Sequence, residues 1–258
     1  MKLSIITINL NNKTGLQKTI NSVITQTFKD FEWIIIDGGS TDGSKELIEQ
    51  YSQHVTYWVS EPDNGIYHAM NKGIYQAKGK YLQFLNSGDT FYSPRILHDI
   101  FTLNSYESDI ITGNIICNNK VLRGIGYKEI SLNDFFYNNV FHPSSFIKRN
   151  LFYTFGLYDE NYKIVSDSKF FIKSIILGNS TVMYIDKPIV YFDSTGISST
   201  YSSLVKTEKK QIFEELIPKR ILLDYEYIKN EFLIMNNPVT KLIFTTIIKI
   251  LQIINKGN

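Results

Sequence analysis

The chain has 258 residues, of which 43% are hydrophobic and 20% charged, and 27 Lys+Arg stand against 25 Asp+Glu for a formal charge of +2. That balance excludes a disordered or collagen-like chain and gives no reason to expect a nucleic-acid partner. One cysteine, Cys117, excludes an internal disulfide framework, and the length allows one large domain or a domain with an appendage.

Lys2 to Asn9 reads as a buried strand; its apolar run is too short for a signal-peptide core and has no small-residue cleavage site. Gly15 to Thr27 is helical in pattern, Phe31 to Asp37 is a second strand, and a helix follows over Ser44 to Tyr51. Val55 to Val59 reads as a third strand, Ile66 to Ala77 as a helix and Tyr81 to Leu85 as a fourth strand. This alternation predicts an α/β fold with a mostly parallel sheet covered by helices on both faces. In such sheets ligands bind beyond the carboxyl ends of the strands. Farther on, strands are expected at Asp109 to Ile116, Val121 to Tyr127, Ser144 to Lys148, Val182 to Ile185 and Ile189 to Phe192, with a helix over Ser166 to Leu177.

A Ser/Thr/Gly-rich stretch, Ser194 to Thr200, sets a boundary near residue 200. The expected division is a domain over 1–200, with halves 1–90 and 91–200, and a helical extension over 201–258. The extension carries nine basic and six acidic side chains, whereas the first 200 residues carry a net −1. Laid out as a helix, 239–256 shows a narrow basic stripe and a broad apolar face. That pattern suits a helix in a membrane interface, or one docked on the body or on another subunit. No stretch reaches the length of a spanning helix, so the expected place is cytoplasmic or peripheral on the inner face of the plasma membrane.

Three strand ends carry acid-bearing turns. Ile36-Asp37-Gly38-Gly39-Ser40-Thr41-Asp42-Gly43 joins a carboxylate to a glycine turn; Asp37 can read a base or sugar, and Asp42 or Ser44 can cap the next helix. Glu61-Pro62-Asp63-Asn64-Gly65 precedes a helix bearing His68, Asn71 and Lys72. Asn86-Ser87-Gly88-Asp89 ends the fourth strand, where one Asp can hold Mg²⁺ or Mn²⁺ if a diphosphate supplies further oxygens. The GxGxxG dinucleotide fingerprint is absent.

These segments, with Ser4-Ile5-Ile6-Thr7 and the run Glu61 to Gly73, resemble family-two glycosyltransferases over roughly residues 2 to 200. The resemblance implies a GT-A (Rossmann-like) fold, a nucleotide-sugar donor, UDP-linked by expectation, and inversion at the anomeric centre. It also implies that Thr7 and Asn9 line the nucleotide pocket, that Asp37 reads the base and that Asp63 contacts the nucleoside or donor. Lys72 would neutralise phosphate, Ser87 would stand at the first position of the metal triplet, and Asp89 would be the metal ligand for Mn²⁺ or Mg²⁺. Gly156-Leu157-Tyr158-Asp159-Glu160 and Ser166-Asp167-Ser168 are similar to later family motifs. Ser166 stands where relatives carry Glu, and Asp167 keeps the general base. By its own residue type Asp167 can equally favour the first turn of its helix.

His142, in His142-Pro143-Ser144-Ser145, and Asp159 are candidates for the acceptor side, although a lone His is also a common hydrogen-bonded structural residue. His54, His68 and His98 lack the spacing of a zinc helix. The resemblance points to a glycan or lipid-linked glycan acceptor in surface-polysaccharide synthesis. A nucleotidyltransferase and a catalytically silent binding module are the alternatives; the first would need a basic loop after strand one, where Asn9-Leu10-Asn11-Asn12 stands.

Overall fold

A computed structural model describes residues 1–102, 107–126, 129–196, 202–238 and 240. Its strands are β1 (Leu3–Asn9), β2 (Phe31–Asp37), β3 (Tyr57–Ser60), β4 (Tyr81–Phe84), β5 (Thr90–Phe91), β6 (Ile110–Cys117), β7 (Lys120–Leu122), β8 (Ser145–Lys148) and β9 (Val182–Tyr191). The helices are α1 (Lys13–Ile24), α2 (Ser44–Gln50), α3 (Ile66–Gln76), α4 (Ile96–Phe101), α5 (Leu132–Tyr137), α6 (Asn150–Phe155), α7 (Ser166–Phe171), α8 (Ser202–Leu216) and α9 (Lys219–Asn236). The chain divides into two compact units, Met1–Lys209 and Lys210–Asn258. The amphipathic pattern expected over 239–256 lies outside the described residues, apart from position 240.

The strands form one sheet in the order β3-β2-β1-β4-β8-β6-β9-β5, with β7 hairpinned onto β6. The four N-terminal strands are parallel, in a register that aligns Asn9 with Asp37 and Asp37 with Ser60. Beyond β4 the sheet becomes mixed: β8 enters antiparallel between β4 and β6, and β9 returns parallel to β6. The parallel architecture read from the alternating pattern therefore holds in the first ninety residues and ends where the helical crossovers end.

Alternation within each strand decides which face each helix covers. Leu3 and Ile5 of β1 and Trp33 and Ile35 of β2 share a core with Leu16, Ile20 and Val23 of α1, Leu47 and Ile48 of α2, and Ile96, Leu97 and Ile100 of α4. On the opposite face α3 lies against β1 and β2. A Cβ on Gly73 would stand 2.4 Å from Ile6 Cγ2, so only glycine permits that close approach.

Two expectations change in detail. The strands expected at 182–185 and 189–192 are one strand, β9, whose pairing with β6 slips between Gly113–Ile185 and Asn114–Pro188. Pro188 lacks the N–H that an unbroken ladder would use, which splits the sequence pattern without ending the strand. Of the strand expected over 121–127, β7 holds 121–122, 123–126 are in no strand, and 127 lies outside the described residues.

Candidate functional site

The carboxyl ends of β1, β2 and β3 converge on Asp37, which is fully buried. Its Oδ1 accepts from Asn9 Nδ2 at 2.7 Å and Ser40 Oγ at 2.5 Å, and its Oδ2 accepts from Ser60 Oγ at 2.6 Å and Ser40 N at 2.9 Å. Burial pushes this carboxyl up, but the hydrogen bonds from Ser40, Ser60 and Asn9 outweigh it and hold Asp37 below the usual range. Asn9 Oδ1 is buried and has no hydrogen-bond partner, an unmet acceptor at the strand ends. Thr7 sits two residues deeper on the same face of β1. It is fully buried, and its Oγ1 accepts from Trp33 Nε1 at 3.1 Å. That corrects the expectation that Thr7 lines the nucleotide pocket: its hydroxyl belongs to the core beneath Asn9.

The neighbouring turns are stitched by their own side chains. Asp42 accepts from Ser44 N and Ser44 Oγ at the start of α2, and from Lys13 N at the start of α1. Asn12 caps α1 by accepting from Gly15 N at 3.0 Å and donates to Ser87 O at 3.1 Å. Ser87 is thereby fixed through its backbone at the end of β4, with its own N–H donated to Ile8 O at 3.1 Å.

Asp63 lies beside Gly38, whose Cβ would stand 3.3 Å from Asp63 Oδ2. Lys72 Nζ donates to Asp63 Oδ1 at 2.9 Å and pairs with Glu61 Oε1 at 2.6 Å. Burial lowers Lys72 and those two carboxylates raise it further, so its net shift is upward and it stays an ammonium. His68 Nδ1 is 3.2 Å from Asp63 Oδ1.

Helix α3 also reaches across to the second half. Asn71 brackets Tyr158, donating to its carbonyl at 2.9 Å and accepting its N–H at 3.1 Å, and also donates to Glu160 Oε1 at 2.8 Å. The Tyr67 hydroxyl is 2.5 Å from Ile164 O and 3.0 Å from Asp167 Oδ1. Its one proton serves one of these acceptors at a time. Burial first, and then the charge of Asp167, push Tyr67 well above its ordinary range.

Asp167, in the first turn of α7, remains partly exposed. The loop before it is held by Glu208 of α8, only 5% exposed, which accepts from the backbone N–H groups of Lys163, Ile164 and Val165 at 2.8, 3.0 and 3.3 Å. Lys209, beside it, is pushed down by burial and up by the Asp167 charge, with a net downward shift. Neither residue has a local signature: Glu208 holds a loop 45 residues away, and Lys209 Nζ donates to Phe135 O and Asn138 O, 74 and 71 residues away. A cavity of about 420 Å³ opens here, lined by Asn64, Gly65, Ile66, Tyr67, His68, Glu160, Tyr162, Lys163, Ile164 and Leu204.

The two acceptor-side candidates are placed elsewhere. His142 is buried, stacks on Phe84 with centroids 4.8 Å apart, and brings Nε2 to 2.7 Å from the Tyr158 hydroxyl. Burial lowers its imidazole more than the Asp167 charge raises it, so it is a neutral member of an aromatic core. Asp159 accepts from Lys169 Nζ at 2.6 Å and from Asn161 N at 3.0 Å. Burial raises it, yet the Lys169 and Asn161 bonds leave it below the usual range. It pins its loop to α7.

Asp89 is also turned inward. It is 3% exposed, and Oδ1 accepts from Asp193 N at 2.8 Å. Burial pushes it up to about 7, with the Asp193 charge adding to the rise against two backbone hydrogen bonds. A buried carboxyl already engaged by a backbone N–H is poorly placed to ligate a divalent cation. Among the described residues, no three His, Cys, Asp or Glu side chains form a metal cage. Oxygen donors in the turn still fit one cation completed by phosphate: Asn86 Oδ1 is buried with no partner, and the Asp193 carboxylate lies over Gly88.

Comparison with known proteins shows the family to which the chain is similar. Residues 4–169 match the family described as Glycosyl transferase family 2. An uncharacterized glycosyltransferase of Mycobacterium tuberculosis is 32% identical over 210 residues, covering 76% of this chain and 77% of its own. A PGL/p-HBAD biosynthesis glycosyltransferase of Mycobacterium bovis is 31% identical over 175 residues, 66% of this chain and 68% of its own. Among solved structures, S. aureus TarS 1-349 in complex with UDP-GlcNAc matches with a TM-score of 0.67 at 19% identity, over 84% of this chain and 72% of that one. The mannosyltransferase PcManGT from Pyrobaculum calidifontis, in complex with GDP-Man and Mn²⁺, matches with a TM-score of 0.57 at 14% identity, over 74% and 56%.

Proposed function

The chain belongs to glycosyl transferase family 2, and from that premise we propose that it moves a sugar from a UDP-sugar to an acceptor hydroxyl with inversion at C1. The supporting observation is that helix α3 serves both halves of the site. Its N-terminal turn and Lys72 flank Asp63 beside the Asp37 cluster, while Tyr67 on the same helix reaches Asp167 at 3.0 Å.

In this reading the nucleoside lies over the carboxyl ends of β1 to β3, where Asn9 and the ionised Asp37 present oxygens and Asp63 completes the wall. Lys72 supplies positive charge toward the diphosphate. The acceptor enters the cavity beside Tyr67 and Tyr162, and so takes the place first expected at His142 and Asp159. Its hydroxyl oxygen attacks C1 as the bond from C1 to the diphosphate oxygen breaks. The hydroxyl proton passes to Asp167, and the electron pair leaves with UDP. Tyr67 and the Glu208-held loop fix the direction in which Asp167 accepts that proton. A divalent cation on the diphosphate, when bound, offsets the charge that develops on the leaving group.

A glycan or lipid-linked glycan is the proposed acceptor, met at the inner face of the plasma membrane. Among the described residues no helix is long and apolar enough to cross a membrane. Family membership sets the nucleotidyltransferase reading aside.

The test needs no known acceptor. Calorimetry with UDP, GDP, CDP and TDP identifies the nucleotide, with UDP expected to bind tightest. Slow hydrolysis of an α-linked UDP-sugar, followed by proton NMR, then gives the first-formed anomer. A β product agrees with inversion by a carboxylate-activated nucleophile; an α product overturns it.

A further inference from the structure

The two-residue strand β5 pairs antiparallel with the end of β9, Thr90 opposite Tyr191 and Phe91 opposite Val190. Continuing that register by two residues sets Gly88 opposite Asp193. The backbone at Gly88 has φ +107, and a Cβ there would stand 2.5 Å from Asp193 Oδ2. The Asp193 carboxylate therefore fills the space that a side chain at position 88 would occupy.

That carboxylate is held in place. Asp193 N donates to Asp89 Oδ1 at 2.8 Å, and Asp193 Oδ1 accepts from Thr195 N at 2.9 Å and Thr195 Oγ1 at 2.7 Å. Asp193 Oδ2 makes no hydrogen bond or ion pair among the described residues, and the side chain is only half-buried. The same turn holds the unpartnered amide oxygen of Asn86. Asp89, by contrast, is 3% exposed and gives Oδ1 to the Asp193 backbone. Hard divalent cations take carboxylate and amide oxygens, and one or two carboxylates suffice where phosphates supply the remaining positions.

We propose that Asp193, delivered across the β5–β9 ladder into the space above Gly88, is the carboxylate that holds the divalent cation on the donor diphosphate. Asp89 is the latch that sets its backbone. The inference rests on the nucleotide-sugar reading above and replaces Asp89 as the ligand.

The experiment titrates the nucleotide that binds tightest into the full chain, in Mn²⁺ and in EDTA, with the bound Mn²⁺ read by electron paramagnetic resonance. For the native protein, affinity falls at least tenfold in EDTA. Asp193→Ala binds the nucleotide equally in Mn²⁺ and EDTA, near the native EDTA value, and loses the nucleotide-dependent Mn²⁺ signal. Asp193→Asn, which keeps the side chain's size and an oxygen for Thr195, shows the same loss in smaller degree and guards against a folding defect in the alanine variant. Asp89→Asn, which keeps an acceptor for the Asp193 N–H, retains the Mn²⁺ dependence. Undiminished Mn²⁺ dependence in folded Asp193→Ala overturns the assignment. Equal native binding in Mn²⁺ and EDTA overturns it too, while leaving the nucleotide-sugar reading intact; no binding of any nucleotide overturns both.

Discussion

Asp37 ends β2 and Asp89 lies in the turn between β4 and β5 of the same sheet; both are buried, and their shifts run in opposite directions. Asp37 meets four donors from three strand ends and is held below its ordinary range. Asp89 meets backbone donors and the negative charge of Asp193, and is pushed up to about 7. Burial raises both, so it is the number and kind of donors that decides which one stays ionised. The end of β2 is built to hold a buried negative charge, and the turn between β4 and β5 to lock the neighbouring Asp193 backbone.

The contrast can be broken most severely at Asp37. Asp37→Ala leaves Asn9 Nδ2, Ser40 N, Ser40 Oγ and Ser60 Oγ facing no acceptor, and should cost about 3 kcal/mol or more in a urea unfolding curve. A loss below about 1 kcal/mol would mean that the cluster relaxes onto water. Next is the other face of β1, where Gly73→Ala drives a methyl into Ile6 and should cost about 1–3 kcal/mol by overpacking. The loss should appear in the melting temperature, with α3 and hence the Tyr67–Asp167 contact disturbed.

The pH-dependent effect is the most discriminating. Asp89 has a folded value raised above its ordinary 3.8 to about 7, so between those values the native state holds a proton that the unfolded chain releases. Its contribution is complete below pH 4 and is lost as pH rises toward 7, by up to about 1.4 kcal/mol per pH unit. Asp37 has the opposite sign: its contribution is complete above 3.8 and is lost only as pH falls through its depressed value. Melting curves in EDTA from pH 5 to 8 should therefore decline less steeply for Asp89→Asn than for the native chain. Parallel curves would remove the distinction between the two sites.

The legibility of the site follows the same divide. Asp37 and Asp63 stand out in the sequence because each lies where an apolar strand gives way to a glycine turn, and Lys72 follows one helix later; the Asp37 partners Asn9 and Ser60, 28 and 23 residues away, leave no local sign. Thr7 shares a strand face with Asn9, and nothing local shows that two residues of depth put its hydroxyl in the core against Trp33. His142 and Asp159 carried the chemistry of an acceptor site, but nothing local told that Tyr158 and Lys169 already engage them. Asp193 was invisible: its partner Asp89 is 104 residues away, and the strand that joins them, Thr90–Phe91, is too short to leave a period. The break at Pro188 hid the continuity of β9 for a comparable reason.

The separation of donor binding from proton transfer is tested most directly by Asp167→Asn, with UDP affinity and UDP-sugar hydrolysis measured on the same preparation. Affinity should stay within about twofold while turnover falls by about 10²- to 10⁴-fold, the range of general-base catalysis. Native turnover in that variant would show that another group takes the proton, and Asp167 would be left as a residue that only favours the start of α7.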